Sequence, residues 1–116
     1  MEFRGILASG ADDEAQIVAG MMVLLSDKAK LDLFRIYRYL EERSPNAAND
    51  FIQRVDTNFE NLARFPFIGR ERSSLAPGLR CLVVGRHLIF YTVESNQITV
   101  VRVIDGRMDV EEEFHR

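Results

Sequence analysis

The chain has 116 residues, 47% apolar, 28% charged and 9% aromatic, with a formal net charge of −3 at pH 7. A chain of this size buries roughly two thirds of its unfolded surface, which closes one core without metal or disulfide staples and excludes a largely disordered polymer. No apolar run reaches the ~18 residues of a membrane span, no signal peptide opens the chain, and the one cysteine, Cys81, has no internal partner, so the expected setting is the reducing cytoplasm.

The charge is unevenly placed. Residues 1–21 and 109–116 each carry −3, whereas 22–108 hold thirteen Arg or Lys against ten Asp or Glu. Within 64–107 seven arginines face Glu71, Glu94 and Asp105, and only Lys28 and Lys30 are lysine. Such an arginine bias fits an ionic binding surface, and genome base composition explains it equally well.

Residues 1–20 show little periodicity. Asp12-Asp13-Glu14 before Ala15, Ile17 and Val18 can start a short helix. Met21 and Met22 are both plausible starts, so 1–21 is expected to be an N-terminal extension, an over-extended gene start, before a single domain over 22–116. Met22–Leu25 suits a buried strand.

Ser26 then caps a helix through Arg43, with Ala29, Leu33, Ile36, Tyr37 and Leu40 on one face. The opposite face pairs Asp32 with Arg35 and Arg38 with Glu42. Ser44-Pro45 ends this helix and begins a second, to about Arg64, whose apolar face is Ala48, Phe51, Ile52, Val55, Phe59, Leu62 and Ala63. So short a joint makes an antiparallel helical hairpin.

Pro66, Gly69, Pro77 and Gly78 punctuate a loop containing Arg70, Glu71, Arg72, Ser73 and Ser74. Three strands are expected at Leu79–Val84, His87–Val93 and Gln97–Ile104, joined by the short turns Gly85-Arg86 and Glu94-Ser95-Asn96. The outcome is an α+β domain in which an N-terminal strand and a two-helix hairpin accompany an antiparallel sheet covered on one face.

Few groups carry chemistry. No phosphate-cradling glycine loop, zinc spacing or nucleophile elbow is present. Cys81, inside a strand, reads as a buried inert thiol. His87 opens the middle strand as a structural histidine or, with a partner, a base. Ser73 and Ser74 read as loop residues, Glu111-Glu112-Glu113 as a solvated face and His115 as part of a frayed tail. Asp105, beside Gly106 and Arg107, suits an ion pair better than acid-base work. Arg80 and Arg102 alternate with apolar neighbours, so they are expected on the sheet face away from the helices; with Arg70, Arg86 and Arg107 they would make that face and its rim positive.

Phe65-Pro66 with Gly69-Arg70, the run Leu88-Ile89-Phe90-Tyr91, and Arg102-Val103-Ile104 with Gly106-Arg107 and Asp109 together resemble the ParE branch of the ParE/RelE toxin superfamily, over about residues 22–109. The resemblance implies the toxin of a type II toxin–antitoxin module of the plasmid-stabilisation type. It would be held in a hetero-oligomer by a ParD-like antitoxin and would arrest growth by binding DNA gyrase. It implies no cofactor, no metal, no membrane contact and no sequence-specific DNA binding by the toxin alone. The antitoxin segment is expected on the helical hairpin, with its acidic side chains meeting Arg70 and Arg80. Arg70, Arg80, Arg86, Arg102, Asp105 and Arg107 are the expected antitoxin- or target-binding residues.

RNA-cleaving RelE relatives carry an arginine at the start of the middle strand, where this chain has His87. Their groups after the last strand and near the C-terminus fall, by gap-free matching, on Met108, Asp105 and Phe114. Methionine cannot stabilise a developing phosphate charge, and phenylalanine has no proton to move. The alternatives are an endoribonuclease using His87, Arg102 and Arg107, and a degenerate toxin kept as an antitoxin-binding partner.

Overall fold

A computed structural model describes residues 16–18 and 20–115. Among them the order is β1 (Gln16–Val18), β2 (Met21–Leu25), α1 (Asp27–Arg43), α2 (Pro45–Arg64), β3 (Arg70–Glu71), β4 (Arg80–Val84), β5 (His87–Glu94), β6 (Gln97–Asp105) and α3 (Val110–Phe114). The helix expected from Asp12 lies mostly outside the described residues. Where it overlaps them, Gln16–Val18 is instead a strand, turned antiparallel onto β2 at Gly20, whose φ of 80° suits glycine.

Serines punctuate both helices. The Ser26 hydroxyl accepts from the Ala29 amide at 3.0 Å and donates to the Val101 carbonyl at 2.7 Å, so the cap of α1 is also tied to β6. Ser44 donates its backbone N–H to the Leu40 carbonyl and accepts from the Ala47 amide on its side chain, ending one helix and starting the next. Leu33 and Tyr37 of α1 and Phe51, Ile52, Val55, Phe59 and Leu62 of α2 bury themselves against Val23, Ile89, Tyr91, Ile98, Val100 and Val103 of the sheet.

The sheet runs β1-β2-β6-β5-β4-β3. β4, β5 and β6 form the expected meander, but β2 lies beside β6 in parallel, with Val23 opposite Ile98 and Leu25 opposite Val100. The sheet is therefore mixed rather than antiparallel, because the chain enters it at one edge through β1 and β2, leaves through the helices, and returns so that the last strand of the meander, β6, pairs with β2.

The far face is not an open arginine surface. Residues 72–79 and α3 bring Leu75, Leu79, Val110 and Phe114 over Cys81, Phe90 and Ile104. The Phe114 ring meets Phe90 edge-on at 4.8 Å. Arg80 shares the helix side with Leu82 and Val84. Arg102 does fall on the far face: Phe90 pairs with Arg102 but Tyr91 with Val100, so Val101 is an extra residue, and this β-bulge sets Arg102 opposite Phe90, under α3 rather than in the open.

At the edge that β2 has left, the Arg102 guanidinium forks onto Asp32 of α1, Nε to Oδ2 at 2.8 Å and Nη2 to Oδ1 at 2.9 Å. Its Nη1 donates to the Glu113 carbonyl at 3.0 Å, and Nη2 lies 3.5 Å from the Glu113 carboxylate. Asp32 also accepts the Val103 amide at 2.9 Å, where β2 has already turned away from β6. Asp32 and Glu113, read from sequence as solvated, are each only 8% exposed.

Asp32→Ala strands a guanidinium whose side chain is 12% exposed and orphans the Val103 amide. We expect urea unfolding to show a loss of about 3–5 kcal/mol, and the double variant Asp32→Ala/Arg102→Met to lose less than the sum of the two single variants, because the two side chains are coupled.

Candidate functional site

Of the seven residues singled out in sequence, Arg86, His87, Asp105 and Arg107 converge. The β4–β5 turn presents Arg86 and starts β5 at His87, which pairs directly with Asp105 at the end of β6. A bond from the Gly106 amide to the Arg86 carbonyl, 2.8 Å, locks the turn to the end of β6. Asp105 accepts from the Arg107 amide at 2.9 Å and from its Nε and Nη2 at 3.1 and 2.9 Å, with Arg86 Nε at 3.7 Å. The Arg107 bonds favour the anion, taking the Asp105 carboxyl from 3.8 to about 2.

These groups and α1 enclose a cleft of about 250 Å³. Its walls are Arg35, Ile36, Tyr39 and Leu40 on the helix and Arg86, His87, Asp105 and Arg107 on the sheet end. Arg43 extends this wall, its guanidinium 3.6 Å from the Tyr39 ring centre. Three arginines against one carboxylate give the cleft a cationic rim over an apolar floor. His87 is half-buried, edge-on to Phe51 at 5.0 Å. Burial lowers its pKa, the Asp105 charge opposes that, and the ring is mainly neutral at pH 7.

The other three expected residues lie elsewhere. Arg102 is part of the buried ion cluster. Arg80 and Arg70 stand at the opposite end of β4, where Arg80 donates to the Phe67 and Gly69 carbonyls and to Glu71. Cys81 is buried, and desolvation raises its thiol pKa against the pull of Arg72 and Arg70, which keeps it an unreactive thiol. Met108 is exposed just beyond the cleft, and Phe114 belongs to the far-face cluster. Arg35, Tyr39 and Arg43 were missed, read as ordinary helix surface. Their spacing of four residues, which stacks them along one side of α1, was the available signal.

The profile of the ParE toxin of the type II toxin–antitoxin system parDE matches residues 23–110. The chain belongs to the ParE toxin family. The match contains every cleft residue and stops at the first residue of α3. Toxin ParE3 of Caulobacter vibrioides is 34% identical over 80 residues, which are 68% of this chain and 80% of that protein. A chain of the chromosomal ParDE toxin–antitoxin system from P. aeruginosa superposes with a TM-score of 0.62 at 25% identity, over 74% of this chain and 96% of that one. The α+β fold of this ParE family member is thus shared with a solved toxin–antitoxin structure. Among the described residues no helix is long and apolar enough to cross a membrane.

The cleft makes stability depend on pH with a definite sign. Both His87 and Asp105 bind protons less readily folded than unfolded, so each stabilises at higher pH and that contribution fades on acidification. We expect denaturation midpoints to fall as the pH drops below 6.5, through His87, and again between 3.8 and about 2, through Asp105. The second decline should shrink in Asp105→Asn and the first in His87→Gln.

Proposed function

We propose that this ParE-family toxin is neutralised by a ParD-like antitoxin in a cytoplasmic hetero-oligomer, and that, freed of it, the toxin binds DNA gyrase and stalls replication without catalysis of its own. The observation that carries this reading is the state of the cleft. Asp105 is held by Arg107 as an anion with a pKa of about 2, too weak a base for proton transfer at neutral pH. Phe114 packs on Phe90, and Met108 offers no charge. What the cleft does offer is a cationic rim beside apolar Tyr39, Ile36 and Leu40, the complement of an acidic protein segment. In this reading residues 22–116 are the toxin domain and 1–21 an extension of it.

Gyrase assays on the purified toxin, stripped of antitoxin, test the proposal. We expect micromolar protein to suppress supercoiling and raise gyrase-dependent DNA cleavage, with Arg86→Glu/Arg107→Glu at least about 10-fold weaker. Unchanged supercoiling together with transcripts cut on ribosomes would replace the reading with an endoribonuclease; a chain that arrests no growth would be a degenerate toxin. A chain lacking residues 1–21 is expected to unfold cooperatively and to keep its toxicity in an induced-expression growth assay.

A further inference from the structure

The turn between α2 and β3 exposes Phe65, Phe67 and Ile68 at 61, 65 and 57%, three large apolar side chains within four residues. A turn built only to connect would gain by being polar there. Its backbone is nevertheless fixed at every residue. The Phe65 amide donates to the Asn61 carbonyl and the Ile68 amide to the Phe65 carbonyl. The Tyr91 hydroxyl donates to the Pro66 carbonyl and accepts from the Gly69 amide, both at 2.8 Å. Arg80 donates to the Phe67 and Gly69 carbonyls at 3.2 and 2.7 Å, and its guanidinium sits 5.0 Å from the Phe67 ring centre. Gly69 is required, because a Cβ there would overlap the Tyr91 ring.

A fixed backbone displaying apolar anchors is what a protein-docking hot spot needs, since little backbone ordering entropy is then lost on binding. Exposed Arg64 and Arg70 flank the anchors in the chain, with Arg80 beneath and Glu71 the opposing charge. We infer that the Phe65–Ile68 turn is a docking site for an antitoxin segment that alternates apolar and carboxylate side chains. A second copy of this chain fits poorly, because a two-fold contact would set the arginines against their own images. The inference rests on the reading that an antitoxin binds this toxin.

The probe is the full-length antitoxin encoded beside this chain, titrated by calorimetry against purified toxin. Phe67→Ser/Ile68→Ser changes exposed side chains only, so the variant is expected to melt with the wild type yet bind at least about 30-fold more weakly. Should the double variant melt early, the single substitutions are used, each expected to weaken binding about 5-fold or more. Arg64→Gln/Arg70→Gln is expected to flatten the loss of affinity between about 0.1 and 0.5 M salt. Undiminished affinity in the serine variants overturns the inference while leaving the antitoxin reading intact. Undiminished affinity with lost gyrase inhibition also overturns it, and assigns the turn to the toxin's target. A wild-type chain that binds no antitoxin removes the reading and the inference together.

Discussion

A single guanidinium, Arg102, ties together three parts of the chain, β6, α1 and α3. It sits where β2 leaves the sheet to become α1, so β6 loses its neighbour halfway along its length. Asp32 fills that gap from α1, accepting both the arginine fork and the orphaned Val103 amide. Glu113 closes the other side, fastening α3 over the far face. A buried ion pair is a weak source of net stability, because desolvation offsets most of the attraction. Its value here is geometric. It fixes the end of β6, and with it the position from which Asp105 and Arg107 reach the cleft.

The arginines of this toxin consequently divide by task, although composition presents them as one group. Arg102 and Arg80 are internal fasteners, one for the sheet edge and one for the turn after α2. Arg86, Arg107 and Arg35 surround the cleft. Arg64 and Arg70 remain exposed beside an apolar turn. Unlike the fasteners, the latter two sets are open to a partner, and they stand at opposite ends of β4. A partner engaging both would span the length of that strand, which suits an extended or helical segment better than a compact domain.

Most of the fold was legible because its punctuation is local. Ser26 as a cap, Ser44-Pro45 as a joint and Gly85-Arg86 as a tight turn each act on residues within a few positions, and the helices and meander strands fall within one residue or so of expectation. What escaped was decided at a distance. The bulge at Val101, which sets Arg102 opposite Phe90, is visible only once β5 and β6 are paired. Asp32 looks like a surface partner for Arg35 until β6 is beside it. α3 is five residues of mostly glutamate whose place depends on Phe90 and Arg102. The cleft was half legible: its sheet residues cluster in sequence around two turns, whereas Arg35 and Tyr39 come from a helix 47 or more residues away.

The parallel pairing of β2 with β6 also governs when this molecule can exist. Ser26 bonds to Val101, 75 residues further along, and the core between them is closed only when both ends of that span are present. The helical hairpin can form as soon as it is synthesised, since its contacts are local, but the strand that seats it is made only after the hairpin, β4 and β5. A chain stopped before β6 therefore leaves the hairpin with a bare apolar face. The cleft, whose sheet wall includes Asp105 and Arg107, exists only once β6 has found both of its neighbours.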